Sequence, residues 1–163
     1  MPRKIVLIVL LIATVVWTAF IFANSLDSAE QSTEKSSSAT EIVNKIASAI
    51  GIKEEIPHST VRDMAHFTEF AILACLICAD FTVAFYQKFS TKRWLYAFCA
   101  ATSLVLCFSL ACVDELLQKI SIGRSSQFSD VLLDALGALT GTATFVICYI
   151  LTVFGIRKFK TRS

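Results

Sequence analysis

Charged side chains are scarce in this chain. Only 17% of its 163 residues are Asp, Glu, Lys or Arg, whereas 55% are hydrophobic, and a typical soluble domain carries about 25% charged residues. This scarcity excludes an ordinary soluble domain and favours an integral membrane protein. The net charge of +2 is too small, and the basic residues are too scattered, to indicate a nucleic-acid partner.

The cysteines show neither a disulfide framework nor a metal site. All six fall within or at the edge of apolar segments, where a thiol behaves as a small buried apolar group. Cys75 and Cys78 have CxxC spacing, but no second pair accompanies them. We therefore assign no metal ligand and expect no cofactor from the sequence.

Four apolar segments are long enough to cross a bilayer as helices. The first, residues 5–23, would be about 28 Å long, which exceeds a signal-peptide core, and no convincing cleavage motif follows it. The other predicted spans cover about residues 61–86, 94–113 and 128–154. The expected fold is an all-α integral membrane bundle of four transmembrane helices, forming a single domain over residues 1–163.

Residues 24–60 form the one sizeable hydrophilic segment. Ser38 and Glu41 have the spacing of a capping box, an apolar stripe follows them, and Gly51 stands where a helix would end. We expect a short amphipathic helix here, either packed on its neighbours or lying in the lipid interface. Thr60 and Asp63 have the spacing of an N-cap that opens the next span.

The basic residues predict the orientation of the bundle. Four spans place both termini and the connector between the second and third spans on one side. Because basic residues favour the cytoplasmic side, we expect the termini in the cytoplasm of a bacterial cell and the hydrophilic loop outside its plasma membrane. The basic residues on the expected cytoplasmic side are Arg3, Lys4, Lys88, Lys92, Arg93, Arg157, Lys158, Lys160 and Arg162.

Polar residues gather near the outer ends of the second, third and fourth spans. Charge is costly at that depth, so it indicates a functional or a clamping role. Asp130 and Asp134 lie one helical turn apart and need neutralisation by Arg124, by retained protons or by a bound cation or cationic ligand. The predicted polar cluster consists of Arg62, His66, Glu69, Asp114, Glu115, Gln118, Arg124, Asp130 and Asp134.

The last span also carries two glycines one turn apart. Gly137 and Gly141 have the small-xxx-small spacing that lets transmembrane helices approach closely. We assign both to helix packing. Asp80 is a separate case, because it lies about 16 Å deeper than Glu69 along the second span, and no role is assigned to it.

These motifs resemble the VanZ-like family of small bacterial membrane proteins. The end of the first span also fits, and one departure is Asp63, where the family often has a second basic residue. The resemblance implies a connection with resistance to the lipoglycopeptide antibiotic teicoplanin. It rests on Arg62-x-x-x-His66-Phe67-x-Glu69-Phe70, on Asp114-Glu115-x-x-Gln118, and on Gly123-Arg124 followed by Asp130, Asp134, Gly137 and Gly141.

Three functions stay open at this point. The leading hypothesis is a non-enzymatic protein whose outward-facing polar pocket binds an amphiphile, namely a lipoglycopeptide, a cell-wall lipid intermediate or a phospholipid. Such binding would contribute to teicoplanin resistance or to envelope homeostasis. The alternative is an intramembrane enzyme acting on lipid-linked envelope material, in which His66 and one or two acids hold a divalent metal or act as general base and Arg124 stabilises a phosphate or developing anion. The third is a scaffold subunit whose polar cluster only locks the bundle.

Overall fold

The protein is a bundle of α-helices that spans the membrane four times. The computed structural model describes residues 2–52, 54–89, 91–123 and 127–160, with the side chains of the last helix up to Val153. Four helices are long and apolar enough to cross a bilayer, and no strand occurs in these residues, so the predicted all-α membrane bundle is confirmed. The helices are α1 (Arg3–Ser25), α2 (Ala29–Ala49), α3 (His58–Phe85), α4 (Lys92–Ile120) and α5 (Phe128–Lys160).

α3 is the central helix, because it packs against each of the other four. Its largest interface is with α5, where Gly137 faces the backbone of Phe67 and Gly141 faces the backbone of Ala71. A Cβ atom at either glycine would overlap the carbonyl oxygen opposite. Close backbone approach of this kind provides the packing contacts that hold transmembrane helices together in lipid, where hydrophobic drive is weak.

Membrane-spanning helices that follow each other run in opposite directions, so the start of α1 lies beside the end of α3 and the start of α4. Arg3 Nε donates to the carbonyl of Val83 at 2.7 Å and Lys92 Nζ donates to the carbonyl of Tyr86 at 2.8 Å. These contacts join the start of α1, the end of α3 and the start of α4 at one end of the bundle, which we call the basic end. Of the basic residues predicted for the cytoplasmic side, Arg162 and the side chains of Arg157, Lys158 and Lys160 lie outside what the structure describes.

α2 begins earlier than the sequence predicted. Its N-cap is Ser28, whose hydroxyl accepts from the backbone N–H of Gln31 at 3.3 Å, while Gln31 Oε1 accepts from the backbone N–H of Ser28 at 3.1 Å. Ser38 lies inside the helix and donates to the carbonyl of Glu34. The cap prediction was wrong because Ser28 and Gln31 form an earlier capping box. The predicted end is correct, since Gly51 adopts a φ of +93° just after the helix.

The cap of α3 also differs from the prediction. Pro57 is the N-cap residue and no side chain caps the helix, so Thr60 and Asp63 lie within its first turns. Proline in a helix interior would remove a backbone hydrogen bond, so the helix begins directly after Pro57, ahead of the Thr60 and Asp63 pair. α4 runs on to Ile120, beyond the expected end of its span, and therefore carries the polar residues after Val113 in helical geometry.

Candidate functional site

Asp114 is the most deeply buried carboxylate of the site, with no exposed surface. Ser25 Oγ, at the end of α1, donates a short hydrogen bond to Asp114 Oδ1. Gln118 Nε2 donates to Asp114 Oδ2 at 2.8 Å, because residues four apart lie on the same face of α4. Two donors from two helices thus stabilise a carboxylate that is removed from water and fix its orientation.

His66 lies where α3, α4 and α5 meet. Its Nδ1 atom is 3.9 Å from Asp114 Oδ2, 3.9 Å from Asp134 Oδ1 and 4.0 Å from Glu69 Oε2. These separations exceed hydrogen-bond distances, so the contacts with the three carboxylates are electrostatic. The four residues His66, Glu69, Asp114 and Asp134 therefore form one compact group, which we call the central cluster.

Glu69 is held in place from α1. Asn24 Nδ2 donates to Glu69 Oε1 at 3.1 Å, and Trp17 Nε1 donates to the backbone carbonyl of Glu69 at 3.0 Å. Asn24 and Ser25 were missed as site residues in the sequence, where they served only the family resemblance. The sequence did contain a signal, because Asn24 and Ser25 are two polar residues at the end of an apolar run. The four-span topology places this end of α1 beside the start of α3 and the end of α4.

The two aspartates of α5 have different surroundings. Asp130 Oδ2 lies 3.9 Å from Arg62 Nη2, and Ser129 Oγ donates to Asp130 Oδ1 at 3.1 Å. Asp134 is only 2% exposed, and its Oδ1 atom has no hydrogen-bond partner among the described residues. One turn of helix thus separates an aspartate at the rim from an aspartate inside the central cluster.

The remaining predicted site residues lie outside the central cluster or outside the described residues. Glu115 follows Asp114 directly and so lies about 100° around α4; its Oε1 accepts from the backbone N–H of Gln127 at 2.6 Å, just before α5 begins. Arg124 falls outside the described residues. Asp80 pairs separately with α1, where Thr14 Oγ1 donates to Asp80 Oδ2 at 2.7 Å.

A cleft of about 190 Å³ leads from the surface to the central cluster. It opens between the end of α1, one face of α2 and the first turns of α3, and His66 and Glu69 form part of its wall. Arg62 and Lys35 also line the cleft, and Lys35 Nζ pairs with Asp27 Oδ2 at 2.6 Å. The cleft is therefore lined by two cations, Arg62 and Lys35, and by two carboxylates, Asp27 and Glu69.

The family of the chain follows from a comparison with family models. The model of the VanZ/LLP1 family matches residues 10–151, which is most of the chain. The chain belongs to the VanZ/LLP1 family. The resemblance inferred from the motifs is thereby confirmed, and the four spans make this VanZ/LLP1 protein a multi-pass membrane protein. Searches of curated proteins and of solved structures found no match.

The matched range of this VanZ/LLP1 protein includes the whole central cluster and the walls of the cleft. Chemically, the cluster offers carboxylate oxygens and one imidazole nitrogen, which attract cations. The cleft offers a guanidinium and an ammonium group, which bind anions. The central cluster can therefore hold positive charge, and the basic side chains of the cleft can hold negative charge.

Proposed function

We propose that this VanZ/LLP1 protein binds the phosphate-bearing headgroup of a membrane amphiphile in the cleft between α1, α2 and α3. The supporting observation is a cleft that carries two basic side chains and lies at the end of the apolar bundle. Phospholipids and lipid-linked cell-wall intermediates share this phosphate chemistry. The acyl chains stay in the surrounding lipid, so only the headgroup enters the protein.

The size of the cleft favours a headgroup over a whole amphiphile. Pockets that enclose drug-sized ligands measure about 300 to 1,000 Å³, whereas this cleft measures about 190 Å³. A lipoglycopeptide is far larger than such a space. The structure therefore supports a lipid headgroup better than the antibiotic itself among the amphiphiles that the sequence left open.

Charge at the cleft favours a phosphate. Arg62 has five N–H donors in a planar fork, and its ion pair with Asp130 Oδ2 is long, at 3.9 Å. The guanidinium thus keeps donors for a phosphate, which arginine binds in bidentate fashion. Lys35 of α2 also lines the cleft and is 61% exposed, but it pairs with Asp27 Oδ2 at 2.6 Å, so Arg62 supplies the main contact in this proposal.

The orientation of the bundle would place this cleft outside the cytoplasm. At the basic end, Lys92 Nζ lies 3.4 Å from the centre of the Tyr86 ring, and Arg93 Cζ lies 5.7 Å from the centre of the Trp94 ring. Aromatic and basic residues together are typical of a membrane interface, and basic residues favour its cytoplasmic side. The cleft lies at the other end, so the proposed headgroup belongs to the outer leaflet.

Binding to nanodiscs of defined composition tests the proposal. The purified protein is titrated with a fluorescent anionic phospholipid, phosphatidylglycerol, in a phosphatidylcholine background. Arg62→Ala should weaken binding about tenfold to a hundredfold, since a charge-assisted hydrogen bond is worth about 1.5 to 3 kcal/mol. Lys45→Ala is the matched control, because Lys45 is an equally basic α2 residue that pairs with Glu41 away from the cleft.

Equal binding by the wild-type protein, Arg62→Ala and Lys45→Ala would contradict the proposal. Selective weakening by Arg62→Ala supports it. A second titration with a lipid-linked cell-wall intermediate separates the two sources of phosphate, because the preferred lipid should show the larger loss on Arg62→Ala.

A contribution to teicoplanin resistance would follow if the bound lipid is one that the antibiotic needs. Asp114→Asn and Arg62→Ala, expressed at wild-type levels in susceptible cells, should then abolish any protection that the wild-type protein provides against teicoplanin. Protection that survives both substitutions would exclude the site as its cause and would favour the scaffold function, in which the polar cluster only locks the bundle.

An enzyme acting on lipid-linked envelope material is the second candidate function. It is favoured by one observation, the convergence of ligand atoms of His66, Asp114 and Asp134 within 4.8 Å of one another, because a metal held there could activate water. Release of inorganic phosphate from a lipid phosphate by the wild-type protein, lost in Asp134→Asn, would support catalysis. Absence of release by the wild-type protein would leave binding as the function.

A further inference from the structure

We propose that His66, Asp114 and Asp134 form a binding site for one divalent cation. Each residue comes from a different helix, α3, α4 or α5, and each offers one ligand atom within 4.8 Å of the other two. His66 Nδ1 lies 3.9 Å from an oxygen of each aspartate. The proposal concerns the central cluster and stands independently of headgroup binding in the cleft.

The separations suit ligands of a shared ion. Imidazole nitrogens and carboxylate oxygens lie about 2.0 to 2.6 Å from a bound divalent cation, so two ligands of one ion are at most about 4 to 5 Å apart. Hydrogen-bonded partners would lie closer, at about 2.7 to 3.2 Å. The spacing within the central cluster is thus too wide for direct hydrogen bonds and falls within the range for an ion placed between the three atoms.

Asp134 supplies the second, independent observation. Its side chain is 3% exposed, it is aimed at His66, and its Oδ1 atom accepts no hydrogen bond from any described residue. Buried carboxylate oxygens without a partner are rare because desolvation of the charge is costly. A cation between Asp134 and His66 would give this oxygen a partner.

The charge of the central cluster also calls for a cation. Asp114, Asp134 and Glu69 surround a single imidazole, and within the described residues the one arginine ion pair near them goes from Arg62 to Asp130. A divalent cation would offset the negative charge of these three carboxylates as the described residues present it. Ser25 and Gln118, which hydrogen-bond to Asp114, would orient this ligand in the manner of outer-shell groups in metal sites.

The donor set favours Mn²⁺. Carboxylates suit Mg²⁺, Ca²⁺ and Mn²⁺, whereas imidazole suits the transition metals, and Mn²⁺ accepts both. Glu69 Oε2, 4.0 Å from His66 Nδ1, is available as a fourth ligand. Because His66 and Glu69 also line the cleft, an ion at this position can be reached from the surface, and its open side would face the cleft.

Metal titration of the purified full-length protein tests the proposal. The protein in detergent is stripped with a chelator and titrated with Mn²⁺, followed by isothermal calorimetry and by the electron paramagnetic resonance signal of free Mn²⁺. We expect one Mn²⁺ per chain. His66→Ala and Asp134→Asn should each weaken binding about a hundredfold or more, since even outer-shell changes cost about tenfold to a hundredfold.

His58→Ala is the matched control, because His58 is the other histidine of the chain and is exposed at the start of α3. It should bind Mn²⁺ as the wild-type protein does, and so should Arg62→Ala, the variant that tests headgroup binding. The His66 and Asp134 variants thus test cation binding, whereas the Arg62 variant tests headgroup binding, so failure of one proposal can be told from failure of the other.

Two results would overturn the cation site. One is a wild-type protein that binds less than one Mn²⁺ per chain at millimolar concentration, a result that needs no variant to fold. The other is a folded Asp134→Asn protein, eluting as the wild-type protein does on gel filtration, that binds Mn²⁺ with unchanged affinity.

Discussion

Gly141 of α5 lies directly against the backbone of Ala71 in α3, and a methyl group at position 141 would overlap the Ala71 carbonyl oxygen. Gly141→Ala should therefore force the two helices apart. Alanine favours a helix over glycine by about 1 kcal/mol, but overpacking against rigid backbone typically costs about 1 to 3 kcal/mol, so we expect a net loss of stability. Thermal unfolding in detergent would measure it.

Thr144→Ala provides the comparison for this change. Thr144 lies on the same helix and is exposed, so its replacement should leave the unfolding temperature nearly unchanged. If Gly141→Ala were as stable as Thr144→Ala, the close approach of α3 and α5 at Ala71 would not be required for the fold.

Ser25→Ala should destabilise the protein through Asp114. The substitution removes the hydroxyl that donates to a fully buried carboxylate oxygen, and a buried acceptor left without its donor costs about 1 to 3 kcal/mol. Ser109→Ala is the control, because Ser109 is exposed and donates only to the carbonyl of Val105 in its own helix. Similar unfolding temperatures for the two variants would show that Ser25 does not stabilise Asp114.

Thr14 and Asp80 should be energetically coupled. Thr14→Val removes the hydroxyl that donates to Asp80 Oδ2 at 2.7 Å, and we expect a loss of about 1 to 2 kcal/mol. In an Asp80→Ala background the same change should have little effect, because the acceptor is gone. A double-mutant cycle by thermal unfolding gives the coupling energy, and additive effects would contradict the pairing.

The orientation of the bundle can be checked by labelling. Ser37→Cys, on the exposed part of α2, should react with a membrane-impermeant maleimide on intact cells. Thr91→Cys, at the basic end before α4, should react only after the cells are opened. The six native cysteines are free, so the parent protein is labelled in parallel as background. Labelling of Thr91→Cys alone on intact cells would reverse the predicted orientation.

The sequence predicts the spans well because apolar segments of about 20 residues rarely occur outside membrane-spanning helices. Its errors concern helix ends. The third predicted span covered only the apolar run, residues 94–113, whereas α4 runs from Lys92 to Ile120 and holds the buried Asp114 beyond that run. Ser38 was chosen as a cap by local spacing, although Ser28 with Gln31 satisfies the same rule earlier in the chain.

The site was harder to predict than the spans, because its contacts join distant helices. His66, Glu69 and Asp114 could be proposed from helical spacing and from the family resemblance. The contact between Ser25 and Asp114 could not, since it depends on how α1 packs beside α4. Helix geometry alone could have separated Glu115 from Asp114, because consecutive residues lie about 100° apart around the axis.

The carboxylates around His66 come from α3, α4 and α5, so a fragment that lacks any one of these helices lacks part of the central cluster. Asp134 belongs to α5, which follows the other four helices along the chain, and it contributes one of the three carboxylate oxygens near the imidazole nitrogen. During biosynthesis, the earlier helices must therefore insert with Asp114 and His66 still lacking this neighbour. Docking of α5 against α3 and α4 then brings Asp134 to the imidazole and completes the central cluster.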